Sequence, residues 1–305
     1  MKLVTIDVGN KDVAYLAEMA RLLEQGNILL LEKTPFIPSP PDSEFLRNQK
    51  QSAHASHKNI AYKPHLQRVT GTGELTEGDA ERLQQVLAAY STGAIAFLGA
   101  LFPDYARTWK VDYASFRPVE EQGRGLPIRH RNDLLHLDAF PSRPTNGGRI
   151  LRAFTNLNAE RDRIWATSDC FEELANNYAH SAGLDGVSSP IANARRKALK
   201  LGRLLGLRLI DRSPYDQFML KFHHYLKSNT KYQAVGQREQ WKFPPGSTWI
   251  TFTDQVAHAV VSGQYALEQT CIVPLASMQH PAYAPITVLE KIAGRPLSTQ
   301  PASAG

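Results

Sequence analysis

The sequence predicts an α+β chain. Its core is a double-stranded β-helix, the jelly-roll barrel of cupins, with flanking helices and a helical insertion. Three observations lead there. Strand-like stretches cluster in two blocks, one from residue 107 and one over 247–275. Helical periodicity occupies the residues before the first block and between the two. The first block carries a His-x-Asp pair, and the second carries a histidine in an apolar setting.

Residues 11–25, "KDVAYLAEMARLLEQ", place Val13, Leu16, Met19, Ala20 and Leu23 at helical spacing, and Gly26 stops the helix. "NILLLEKTPF" (27–36) is a short buried strand. Residues 37–64 are rich in Pro, Ser and polar side chains and are expected to be a mobile loop. A long helix covers 75–103, with Thr76 as N-cap, Asp79 at the capping-box position and Pro103 at its end. "TWKVDYASFRPV" (108–119) then runs in strand fashion. "CFEELANNYAHSA" (170–182) is helical, and 189–229 forms two helices split near Ser213-Pro214. Strand signals resume over 247–275. The organisation expected is an N-terminal helix and strand support over 1–106, a core over 107–290 with a helical insertion at 170–230, and a disordered tail over 291–305.

Composition narrows the class. No run of about 18 apolar residues occurs, so no transmembrane helix is expected. The N-terminus has Asp7 and no apolar signal core. Cys170 and Cys271 are the only cysteines, too few for a disulfide framework, which fits a reducing cytoplasm. A net charge of +6 suits an anionic partner. Nucleic acid is disfavoured, because no aromatics interleave with the basic run and no standard binding module appears.

The chemistry starts from "LLHLDAF". Residues i and i+2 of a strand share a face, so His136 and Asp138 point one way while Leu135 and Leu137 point the other. Of ten histidines, His258 stands out as a third ligand, because it lies in the late strand block between Ala257, Ala259 and Val260. Two histidines and one carboxylate leave three coordination positions open, the donor set of non-haem Fe(II) oxygenases. 2-Oxoglutarate would fill two of those positions and leave one for O2. Its distal carboxylate then needs a buried cation. "HAVVSGQYALEQTC", after His258, has no basic residue. The strand after His-x-Asp, "RILRAFTNLN", offers Arg149 and Arg152. Arg152, Phe154 and Asn156 share one face of it, with Arg149, Leu151 and Thr155 on the other. Arg152 is the first choice, since a guanidinium fits a carboxylate in bidentate fashion; Arg149 is the alternative, and Asn156 shares Arg152's face.

Three stretches, "HLDAFPSRPTNGGRILRAFTNLN", "DRIWATSDCFEELA" and "TDQVAHAVVSGQYALEQT", resemble the Kdo hydroxylase family, and the likeness covers most of 107–290. The resemblance implies a dioxygenase that uses Fe(II), 2-oxoglutarate and O2, with ascorbate as a further cofactor. It implies 3-hydroxylation of the 3-deoxy-D-manno-oct-2-ulosonic acid (Kdo) of lipopolysaccharide inner core. The substrate would be a Kdo-containing lipid A precursor, met by a cytoplasmic, peripheral enzyme at the inner face of the inner membrane. His136, Asp138 and His258 carry over as the ligands. The rival readings are another 2-oxoglutarate oxygenase, acting on a protein side chain or small molecule, and a non-catalytic cupin-like binding protein. Residues 192–212 carry seven basic side chains against one acid, with Leu199, Leu201, Leu204 and Leu205 as an apolar face. Such a stretch either packs on the barrel or docks on an anionic membrane surface.

Overall fold

The computed structural model describes residues 1–52, 59–207, 209–235 and 238–298. Two sheets face each other. The larger has eight strands in the order β1 (Leu3–Thr5), β2 (Ile28–Leu31), β9 (Thr248–Phe252), β6 (Arg149–Asn156), β11 (Ala266–Val273), β5 (Lys110–Arg117), β3 (Ile60–Lys63) and β4 (Arg68–Thr70). The smaller runs β10 (Val256–Ser262), β7 (Arg163–Cys170), β8 (Glu239–Phe243). Among the described strands only β1 and β2 pair in parallel. A further antiparallel bridge joins His136 to His258, so the His-x-Asp segment extends the small sheet past β10. This antiparallel-rich pair of sheets is consistent with a jelly-roll core.

Strand β6 shows how sequence parity sets the layers. All eight of its residues are buried, which requires cover on both faces. Leu151 and Ala153 face outward and pack with Leu23 of α1 (Val13–Glu24) and Leu98 and Leu101 of α3 (Glu77–Leu101). Phe154 faces inward and joins Trp249, Trp165 and Phe243, drawn from both sheets. Its ring lies 4.8 Å from that of Trp165, edge-on, and Phe243 stacks on Trp249 at 4.0 Å. Each such ring buries about 150–250 Å², so this aromatic plug fastens one end of the space between the sheets.

Between β7 and β8 lie α5 (Phe171–Tyr178), α6 (Pro190–Leu204), α7 (Pro214–Ser228) and α8 (Thr230–Val235). Ser213 caps α7 by accepting from the Asp216 N–H, and Pro214 occupies its first turn, where no N–H is needed. Phe218 and Phe222 of α7 pack against Leu135, Leu137, Ala257 and Ala259, the face of the small sheet turned away from the large one.

The N-terminal segment and the tail differ from expectation. Within 37–64, Pro40–Arg47 forms α2, capped by Ser39, and Ile60–Lys63 forms β3, while 53–58 fall outside the described residues. Leu46 and Ile60 are fully buried, so apolar side chains scattered among polar ones were enough to order this segment. The expected tail includes the end of α9 (Pro285–Ala293) and Leu297, which is fully buried and accepts from the Tyr215 N–H; 299–305 fall outside the described residues. His258 of the late strand block lies within β10.

Candidate metal centre

His136 and His258 exchange both backbone hydrogen bonds, at 3.1 and 3.0 Å. Their rings lie 4.7 Å apart. The Asp138 N–H donates to Thr253 O at 2.9 Å, which holds the next turn of the chain over the same face. His136 Nε2 is then 3.7 Å from Asp138 Oδ1, and His258 Nε2 is 4.0 Å from Asp138 Oδ2. All three side chains line one small cavity, of about 30 Å³, between the sheets.

Both rings are held in one orientation. Nδ1 of His136 sits 2.7 Å from Leu134 O, and Nδ1 of His258 sits 2.9 Å from Val256 O. A carbonyl can only accept, so Nδ1 carries the proton and Nε2 presents a lone pair to the cavity. Burial lowers the pKa of each imidazole, which keeps it neutral. Trp165 stacks on His258 at 4.9 Å and fixes its plane. Burial works to raise the Asp138 carboxyl pKa, but the Arg152 guanidinium beside it holds it well below the usual carboxylate range. Its Oδ2 is buried with no hydrogen-bond partner; Arg152 Nη1 lies 3.1 Å away without hydrogen-bond geometry. Two oriented lone pairs and an ionised, under-bonded oxygen are what a divalent cation takes up.

A fourth group stands behind. His223 of α7 meets His136 edge-on at 5.0 Å, and its Nδ1 lies 2.6 Å from Leu137 O. His136, Asp138 and His223 can bring one ligand atom each within 4.8 Å of one another. The trio with His258 is the better candidate, because His258 lines the cavity and shares a backbone bridge with His136, while His223 does not line it.

Three arginines line the same cavity, Arg117, Arg152 and Arg163. Arg152 lies within 3.1 Å of Asp138 and 3.3 Å of Glu268. Arg117 binds Glu268 through two hydrogen bonds, at 2.9 and 2.6 Å, and lies 3.5 Å from Glu121. Among the described residues Arg163 has no carboxylate in bonding range: it donates to Gly263 O at 2.8 Å, and its Nε has no partner. Burial, and next the neighbouring Arg117, pull its pKa down to about 10. Gly263 is required there, since a Cβ would meet Arg163 Cα at 2.9 Å and its φ is +118°.

Arg149 and Asn156 lie outside this cavity. Arg149 faces away from it, donates to Asp254 at 2.9 Å and Gln255 at 3.1 Å, and covers the Phe252 ring. The Asn156 amide donates to Arg161 O and Phe243 O and accepts from the Asn158 N–H, so it ties a turn to β8. Arg149 keeps a buried Nη1 without a partner, but it is held by Asp254 on the side of β6 away from the cavity. Sequence reasoning missed Arg117, Arg163, Trp165 and His223. The signal for two of them was present: in "DRIWATS", Arg163 and Trp165 share a strand face.

The profile of the 3-deoxy-D-manno-oct-2-ulosonic acid (Kdo) hydroxylase family matches residues 10–296. The chain belongs to the Kdo hydroxylase family. Among solved structures it is similar to the Kdo hydroxylase KdoO, described as a non-heme Fe(II) alpha-ketoglutarate dependent dioxygenase. One KdoO structure, with alpha-ketoglutarate and Fe(III), is 33% identical, covers 100% of both chains and has a TM-score of 0.85. Its cobalt(II) complex matches at 33% identity over 99% of both chains with a TM-score of 0.86, and its apo form at 33% over 100% of both with 0.86. No curated protein matches the chain.

Proposed function

We propose that this chain hydroxylates the 3-position of Kdo carried on a lipid A precursor, with Fe(II) held by His136, Asp138 and His258. The Fe(II)- and 2-oxoglutarate-dependent hydroxylation of Kdo follows from family membership. The assignment of residues rests on one observation: two imidazoles tethered at Nδ1 share a buried wall with an under-bonded carboxylate. When bound, the iron and O2 couple decarboxylation of 2-oxoglutarate to succinate with insertion of one oxygen atom into a substrate C–H bond.

The protein's part is orientation and charge. Arg117, Arg152 and Arg163 are matched by Asp138, Glu121 and Glu268. A dication adds two positive charges to this balanced set, and a dicarboxylate cosubstrate restores neutrality. Arg163 takes the distal carboxylate in this reading, rather than Arg152 or Arg149. Arg149 is spent on Asp254. Arg152 already touches Asp138, which puts it beside the metal end of a five-carbon diacid. Arg163 sits two residues along β7 from Trp165, roughly 6–7 Å further along the strand, and lacks an acidic partner. Arg152 holds Asp138 ionised and oriented.

Membrane docking through α6 completes the reading. No described helix is long and apolar enough to cross a membrane. Yet none of the described side chains of α6 is buried, Leu204 is 84% exposed and the adjoining Leu205 76%, and Lys197 and Arg203 stand in solvent among them. Leu201, Leu204 and Leu205 therefore do not pack on the barrel. Exposed leucines interleaved with basic residues suit an anionic bilayer, where each basic residue contributes about 1 kcal/mol. Succinate release from 2-oxoglutarate, with and without Kdo-lipid A, tests the reading: release that does not respond to the Kdo acceptor would overturn it.

A further inference from the structure

In the reading above, the small cavity at the ligands is taken up by the metal and the cosubstrate. A second cavity, of about 770 Å³, opens at the strand ends of the large sheet, between the start of β5, the end of β11 and the loop before β6. That volume falls within the range of small-molecule sites, about 300–1,000 Å³. A short run of side chains joins the two. Arg152 Nη1 lies 3.1 Å from Asp138, and its guanidinium is 5.3 Å from the Phe140 ring. Arg143 packs on the same ring at 4.5 Å and on Tyr113 at 4.0 Å. Arg143 Nη1 donates to Asp112 Oδ1 at 3.2 Å.

The cleft is built rather than incidental. Asp112 lines it and is only 6% exposed, and its Oδ2 has no hydrogen-bond partner. A buried carboxylate oxygen left unpaired is costly unless a ligand donor fills it. The floor is fixed backbone. Asp216 at the start of α7 accepts from the Thr145 and Asn146 N–H groups, at 2.7 and 3.2 Å. A Cβ at Gly147 would come within 2.5 Å of Ile286, and one at Gly148 within 2.8 Å of Ile272, so glycine lets the loop lie flat there. The rim adds the exposed Lys110. Arg212, just after the α6 region, donates to Pro141 O, which sets the cleft beside the basic, leucine-bearing segment.

We propose that this cleft holds the anionic sugar acceptor, with Asp112 accepting from its hydroxyls and Arg143 and Lys110 pairing with its sugar-acid carboxylate. The inference rests on the Kdo reading above and names where that substrate lies. Hydrogen bonds to charged groups are worth about 1.5–3 kcal/mol, a factor of about ten to a hundred in affinity.

The test uses the iron-loaded full chain and two readouts: KM for a Kdo glycoside from succinate release, and anaerobic binding of 2-oxoglutarate from the absorption of its Fe(II) complex. Arg143→Gln and Asp112→Asn are expected to raise the acceptor KM about tenfold or more, with 2-oxoglutarate binding within twofold of wild type. Ala276→Trp, which narrows the cleft from its exposed rim without altering charge, is expected to do the same. Acceptor KM values within twofold of wild type in Arg143→Gln and Ala276→Trp, while wild type hydroxylates Kdo, would overturn the cleft assignment alone. A wild-type chain that consumes 2-oxoglutarate without responding to Kdo would overturn the functional reading and this inference with it.

Discussion

At the scale of single residues the site rests on orientation. His136→Ala and His258→Ala each remove an Nε2 lone pair already aimed at Asp138, and both are expected to abolish Co(II) binding and turnover; full turnover by either variant would refute the ligand set. The two arginine assignments separate cleanly. Arg163→Gln is expected to raise the 2-oxoglutarate KM about tenfold to a hundredfold with little effect on metal affinity, whereas Arg152→Gln, by releasing Asp138, should weaken metal binding first. The reverse pattern would return the clamp to Arg152. The buried imidazoles also set a pH dependence. Burial first, and Lys227 next, pull His223 down to about 3, and burial lowers His136 and His258 in the same direction. Unfolded imidazoles protonate near 6.5, so below that pH the unfolded chain binds more protons than the fold. Stability of the metal-free protein should therefore be full above about 6.5 and fall as pH drops, by up to about 1.4 kcal/mol per unit for each imidazole. Urea midpoints that stay flat from pH 7 to 5 would contradict this.

At the scale of elements, strand parity carries most of the information and α6 carries the most exposed chemistry. Parity separates Leu135 and Leu137, which pack on α7, from His136 and Asp138, which face the cavity. It likewise separates Arg149 from Arg152. Helix α6 makes a different kind of prediction. Lys197→Glu with Leu204→Ser should weaken binding to anionic liposomes and flatten its salt dependence, because both side chains stand in solvent. Turnover of a water-soluble Kdo glycoside should be unchanged in the same variant. Liposome sedimentation that does not change would detach this helix from the membrane reading.

At the scale of the whole molecule, the ligands come from segments joined only by tertiary pairing, so metal and cosubstrate should stabilise the global fold. A ligand at a hundred times its Kd adds about 2.7 kcal/mol, roughly 4 °C in Tm for a chain of this size. Co(II) followed by 2-oxoglutarate is expected to raise Tm in two additive steps, and Arg163→Gln to lose the second step only. Loss of both steps in that variant would mean that Arg163 supports the metal rather than the cosubstrate.

The sequence by itself determined the metal ligands as candidates, because the two-residue period of a strand is local and His-x-Asp with an isolated late histidine needs only that period to be read. It determined the helices at 13–24 and 77–101 within two or three residues, since periodicity and caps are local too. Only the tertiary structure decided which arginine is left without a carboxylate. Arg117, Arg152 and Arg163 look alike in sequence, and their difference lies in Glu268, Glu121 and Gly263, which strand order brings to them from 100 or more residues away in two cases. It also decided that Arg149 belongs to Asp254, that the 40–47 segment is helical, and that Leu201 and Leu204 of α6 stay in solvent. Each of these is a question of which surface meets which, and pairing across the sheets, not local pattern, answers it.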